Sequence, residues 1–182
     1  KMNNMKVYGG RLYTGNTSSH AVNGQALVEG SSGVLELGIS TFVAGSVLVS
    51  DGGRIVLDNQ VDSCILKLGS SIEISSGGYL VSKSTKNYIG STNSGSIYYT
   101  FDVNRGTIDV TGVTLEAMKR SGLQIWDGTS INNFSNVKFS NLQGGATAVS
   151  ILNYTSSDTY TLGGLEFDTS VSTNVIAPKW IT

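Results

Sequence analysis

Apolar residues recur along this chain in short, alternating runs separated by Gly, Ser and Asn. The runs include Val34-Leu35-Glu36-Leu37, Val47-Leu48-Val49, Ile55-Val56-Leu57, Ile65-Leu66-Lys67-Leu68, Ile72-Glu73-Ile74, Tyr79-Leu80-Val81 and Ile97-Tyr98-Tyr99-Thr100-Phe101. A period of two over ~3–6 residues predicts half-buried β-strands rather than helices. A glycine stands before strand after strand: Gly33, Gly45, Gly53, Gly69, Gly78, Gly95 and Gly106. Helical spacing is nearly absent. Only Leu115-Glu116-Ala117-Met118-Lys119-Arg120 offers a helical turn, and it is too short to stand alone.

The second half carries a repeat. Val110-Thr111-Gly112-Val113-Thr114-Leu115 aligns with Phe134-Ser135-Asn136-Val137-Lys138-Phe139 and with Leu162-Gly163-Gly164-Leu165-Glu166-Phe167. The shared pattern is an apolar residue, a bend at Gly or Asn, then apolar-x-apolar. Both bend residues tolerate the left-handed backbone conformation. The apolar-x-apolar pair places two side chains on one face of a strand. In this alignment Glu116 falls opposite Ser140 and Asp168, and Lys138 and Glu166 fall opposite Thr114 in a solvent-facing column. The offsets, 24 residues from 113 to 137 and 28 residues from 137 to 165, belong to repeat architectures in which each strand pairs with its equivalent one coil away. The first half shares the glycine punctuation without a clean period.

The segments 106–115 and 131–142 resemble coils of the right-handed parallel β-helix, as in the pectin-lyase-like superfamily and large bacterial surface proteins. The turns at Gly52-Gly53 and Gly77-Gly78 are similar to those of autotransporter and adhesin stalks. The resemblance implies an all-β, single-stranded right-handed parallel β-helix (β-solenoid) of about seven irregular coils. An antiparallel β-sandwich or jelly roll is the alternative, since it too has many short strands. Against it stand the repeat and the scarcity of two-residue hairpin turns, with only Asn23-Gly24 and Asp127-Gly128 of that kind. One domain is expected over 1–182: an irregular N-terminal coil or arm over 1–30, coils over 31–173 and an exit segment over 174–182, where Pro178 ends strand pairing.

Composition changes the picture mainly by exclusion. Of 182 residues only 14% are charged, 23 are Gly and one is Pro. Twelve basic against 13 acidic residues leave a formal charge of −1, which does not suit a nucleic-acid partner. No apolar run approaches the roughly 18 residues of a membrane span. No signal peptide is visible, and because Lys1 is not an initiator Met a processed or excised piece is expected. The single cysteine, Cys64, sits among apolar strand residues and reads as a small buried hydrophobe.

Candidate chemistry is sparse. The one histidine, His20, lies in a polar stretch without a nucleophile motif or metal-ligand partners. The acidic residues Asp51, Asp58, Asp62, Asp102, Asp109, Asp127, Asp158 and Asp168 are scattered, though coils could bring some together as a glycosidase would require. No catalytic residue, cofactor or metal site is expected. Tyr99 and Phe101 share one strand face and Tyr98 takes the other. Tyr8, Tyr99, Trp126 and Trp180 are the candidate interface or ligand platforms. Neither end shows a capping helix, and open solenoid ends expose strand edges to another chain. The expectation is therefore a non-enzymatic extracellular or cell-surface solenoid. It would bind copies of itself head to tail, or flanking domains of the same protein, through those ends. The alternatives are a carbohydrate-binding or polysaccharide-cleaving β-helix and a phage-tail or receptor-binding segment.

Overall fold

The computed structural model describes residues 2–15, 19–57, 62–93, 95–152 and 160–177. Sixteen strands and no helix occupy them. In chain order these are β1 (Met5–Tyr8), β2 (Arg11–Tyr13), β3 (Ser19–Glu29), β4 (Val34–Glu36), β5 (Thr41–Ser50) and β6 (Arg54–Leu57). Then come β7 (Ile65–Ser75), β8 (Tyr79–Ser82), β9 (Tyr88–Ser91), β10 (Tyr99–Asn104) and β11 (Thr107–Glu116). β12 (Met118–Trp126), β13 (Ser130–Ser140), β14 (Ala146–Leu152), β15 (Glu166–Phe167) and β16 (Val171–Ile176) complete the set. Every strand-to-strand pairing is parallel, and each joins a strand to its equivalent one coil away. The fold is an all-parallel β-solenoid of about seven turns, and the antiparallel alternative is excluded.

Each coil has three faces, visited in the order A, B, C. In the first coil they are β1, β2 and the Ser19–Val22 end of β3. Inward side chains stack into continuous columns because register is kept from coil to coil. Face A stacks Val7, Val28, Val49, Ile74, Val103, Ile125 and Ile151. Face B stacks Leu12, Leu35, Ile55, Leu80, Ile108 and Ile131. Face C stacks His20, Phe42, Leu66, Ile89, Leu115, Phe139 and Phe167. Between the end residues nearly all of these are buried, each removal from water contributing about 1.5–3 kcal/mol. The rings of Phe139 and Phe167 stack with centroids 5.4 Å apart.

The aligned repeat is the physical register of face C. Val113 pairs with Val137 and Leu115 with Phe139, while Lys138 and Phe139 pair with Glu166 and Phe167. The bend residues Gly112, Asn136 and Gly164 all have positive φ, at 80°, 53° and 60°. Glu116 stands opposite Ser140, as aligned. The helical turn expected at 115–120 does not form. Leu115 and Glu116 end β11, Ala117 turns the corner with φ 59°, and Met118 opens β12.

The corners differ along the chain. In the first coils β3, β5 and β7 run unbroken across faces C and A, and the B-to-C corner is wide. In coils five and six β11 and β13 run unbroken across faces B and C through Gly112 and Asn136, while the C-to-A corner is the single residue Ala117 after β11 and spans 141–145 after β13. The glycines before face B have a different cause. A Cβ on Gly53, Gly78 or Gly106 would lie 2.4, 2.3 or 2.6 Å from the carbonyl oxygen of Val28, Val49 or Ile74 in the coil beneath. The next position in that stack is Thr129, buried, whose hydroxyl donates to the equivalent carbonyl of Val103 at 2.9 Å.

Both described ends are coiled. Residues 5–13 form a first coil in register with 26–29 and 34–36, so no N-terminal arm exists over them. The exit segment begins later than expected, because Val175 and Ile176 remain in β16, paired with Val149 and Ser150. Pro178 lies outside the described residues.

Candidate functional site

The solenoid brings together residues that lie far apart in sequence, and the outer surface of face A shows the clearest case. Outward positions there form the row Leu48, Glu73, Asp102, Gln124 and Ser150. Glu73 and Asp102 thus stand one coil apart on neighbouring strands, two carboxylates side by side. Trp126, two residues beyond Gln124 on the same strand face, donates from its indole N–H to Asp102 Oδ1 at 3.3 Å. Burial pushes the Asp102 carboxyl above its ordinary range, and the Trp126 hydrogen bond opposes that shift. Glu73 is exposed while Asp102 and Trp126 are half-buried. The arrangement offers an aromatic surface with an acid and an amide along one row, a set suited to polar, ring-shaped ligands, while Ser150 at the end of the row is buried and donates to Ser121 O. The pairing was hidden because Ile74 and Val103, the neighbouring column residues, are separated by the longest coil of the chain.

The platform residues meet different fates. Tyr99 is a correction: it is fully buried, and its hydroxyl donates to the backbone oxygen of Ile89 at 3.2 Å. Burial also holds its phenol well above the ordinary value. The shared face of Tyr99 and Phe101 is therefore the inward one. Tyr8 is 71% exposed at the first coil, with the Lys6 ammonium 5.3 Å from its ring centroid. Trp126 belongs to the row just described. Trp180 lies outside the described residues.

His20 heads the face-C column, half-buried, with Nε2 bonded to the backbone oxygen of Thr14. It is a structural member of the first coil rather than a residue of a polar loop. Cys64 is buried, and its thiol donates to Leu37 O at 3.0 Å. Among the described residues no group of three or more His, Cys, Asp or Glu side chains could hold a metal ion, and no helix is long and apolar enough to cross a membrane.

The two described ends are the other candidate feature. Among the described residues β1 and β2 pair on one side only, which leaves each with an edge of backbone N–H and C=O groups. Leu12 and Tyr13 are 40% and 48% exposed there. Among the described residues β15 and β16 likewise pair on one side only, and Ile176 is 48% exposed. The charges differ between ends, with Lys6 and Arg11 exposed on the first coil, and Glu166 exposed and Asp168 half-buried on the last. Burial raises the Asp168 carboxyl, but hydrogen bonds from Ser170 and Asn141 outweigh it and hold the group below its ordinary value. The chain matches no family model, no curated protein and no solved structure.

Proposed function

We propose that this chain is a non-enzymatic structural or adhesive β-solenoid of the cell exterior, which assembles head to tail through its open ends. The observation that supports this most is the pair of one-sided strand edges on a column-built core. An uncovered edge in register is a template for another strand, and head-to-tail contacts between identical coils do not close, so they propagate as filaments. The low charge and the Ser-, Thr- and Gly-rich surface support the extracellular placing. Light scattering over a hundredfold concentration range, with negative-stain images of the same samples, provides the test. Mass that grows with concentration and fibres one solenoid wide are expected. A constant monomer mass with no fibres would sink the proposal.

A second reading is favoured by the face-A row: binding of a carbohydrate across Asp102, Gln124 and Trp126. Titration of the protein with a panel of soluble oligosaccharides, read by indole fluorescence, should then show saturable quenching that Trp126→Ala removes. A flat response across the panel rejects it.

A further inference from the structure

β12 carries Gln124 and Trp126 at one end and a bulge at the other. Met118 pairs with Tyr99 and Leu123 with Phe101, so Lys119, Arg120, Ser121 and Gly122 all stand against the single Thr100. The bulge is pinned in place. Gly122 has φ 63°, and a Cβ there would lie 1.9 Å from Thr147 O in the next coil. The Arg120 N–H donates to Gln143 Oε1 at 3.2 Å, and the Gln143 N–H donates to Met118 O at 2.9 Å. The Ser150 hydroxyl donates to Ser121 O at 3.3 Å. A bulge re-aims the side chains it carries, and this one leaves two consecutive cations, Lys119 and Arg120, exposed to solvent. Neither has an ion-pair partner among the described residues, unlike Lys6, Arg11 and Lys83. The nearest acid along the chain, Glu116, is engaged by the Tyr88 hydroxyl and the Asn141 amide.

We infer that Lys119 and Arg120 hold the anionic groups of an acidic oligosaccharide, one bearing carboxylate or sulfate, whose neighbouring rings lie along β12 over Gln124 and Trp126. This rests on the carbohydrate reading of face A and names its ligand class. The guanidinium fork takes an oxyanion through two hydrogen bonds, and the ammonium beside it adds a mobile point charge. Because the bulge backbone is already fixed, binding orders only the two side chains. At about 3.3 Å per residue the strand gives up to roughly 20 Å between Arg120 and Trp126, room for several sugar rings. Charge sets the direction. An acidic chain laid across the coils would pass Asp102 and Glu73, whose carboxylates repel it. Laid along β12, it meets two cations, an amide and an indole in turn.

Calorimetric titration of the whole chain tests this with four probes: a sulfated hexasaccharide, a hexasaccharide of uronic acid, a neutral hexasaccharide and inorganic polyphosphate. At least one acidic sugar should bind ten times more tightly than the neutral one and than polyphosphate. The double variant Lys119→Ala with Arg120→Ala should lose at least tenfold of that affinity. The double variant Lys67→Ala with Lys138→Ala removes the same charge from face C and should change it less than twofold. Trp126→Ala should weaken every sugar that binds, and melting curves control for folding. Equal binding of neutral and acidic sugars, lost only in Trp126→Ala, overturns the acidic ligand and leaves the carbohydrate reading standing. Polyphosphate binding as tight as that of the acidic sugars, or equal losses in the two double variants, reduces the effect to general charge attraction and overturns the site. No binding of any sugar overturns both.

Discussion

Coils one to four and coils five to seven turn the B-to-C corner in two ways, and the same stack of inward positions shows why. In the early coils the corner is wide, and the stack at the start of face C holds Ser40, Cys64 and Asn87. The face-C ladder runs through them, since Ile65 N–H donates to Ser40 O, Tyr88 N–H to Cys64 O and Thr114 N–H to Asn87 O. In the later coils the stack continues as Val113 and Val137. A wide corner leaves backbone groups that no neighbouring strand satisfies, and buried backbone must find partners. Polar side chains supply them. Asn87 Oδ1 accepts Cys64 N–H at 3.2 Å, and its amide donates to Leu57 O and to Ser82 Oγ. Thr14 Oγ1 accepts Gly38 N–H and shares a hydrogen bond with Ser40. A one-residue bend with positive φ, as at Gly112, strands fewer groups, and valine can fill the place. Coil four is the junction, and Ser82, Ser84, Asn87 and Ser91 are all buried in it.

Four substitutions test this comparison. The largest effect is expected at the tight corner. Gly112→Val would put a branched residue at φ 80° with its Cβ 2.4 Å from the backbone nitrogen of Thr85, costing about 4 kcal/mol or more. Urea unfolding should show it as a large drop in midpoint. Next is Asn87→Val, which gives coil four the residue that coils five and six use. Losing the three hydrogen bonds to Leu57 O, Ser82 Oγ and Cys64 N–H should cost about 2–3 kcal/mol. A neutral or stabilised variant would mean that the polar stack is incidental. Asn136→Ala keeps the tight corner but removes a residue that tolerates the left-handed region, for about 1 kcal/mol. Asn136→Gly should cost less than Asn136→Ala in the same unfolding series.

The smallest effect concerns charge. The Asp102 carboxyl is raised in the folded chain, so the unfolded chain holds fewer protons above the ordinary carboxylate range. Stability then falls as pH rises through the interval between the ordinary and raised values, and the penalty is complete above it. Asp102→Asn should raise the melting temperature near neutral pH, with the gain fading at about pH 3. Asp168 has the opposite sign. Its carboxyl is lowered, its contribution is present above the ordinary range and is lost on acidification, so Asp168→Asn should lower the melting temperature near neutrality.

The same contrast explains how far the sequence could be read. Val113-x-Leu115, Val137-x-Phe139 and Leu165-x-Phe167 announce two inward positions per strand, and their alignment gave the register residue for residue. The equivalents in earlier coils are Ser40-x-Phe42, Cys64-x-Leu66 and Asn87-x-Ile89. Their first inward position is polar for the corner's sake, so the pattern is broken where the architecture is not. Cys64 was legible as a buried residue, and Tyr99 with Phe101 as a same-face pair. Which face they shared depends on the strand's place in the coil, which alternation alone does not tell. The Glu73 and Asp102 pair was invisible, because it exists only once a 29-residue coil is laid over its neighbour. Ala117 misled because leucine, glutamate, alanine and methionine favour helices intrinsically, whereas pairing with coils on both sides overrides that preference.

The columns tolerate coils from 20 residues, between Leu35 and Ile55, to 29 residues, between Ile74 and Val103, without a break in pairing. Inheritance of this architecture is therefore governed by where an insertion falls. A residue gained inside a face must be absorbed by a bulge, as Asn132 is between Ile131 and Asn133, or it throws the following side chains from core to solvent as far as the next corner. A residue gained between Thr92 and Tyr98 only enlarges a loop. Such corners are the places where the chain can lengthen, acquire a new surface or accept a grafted peptide while its ladder of hydrogen bonds passes by unchanged.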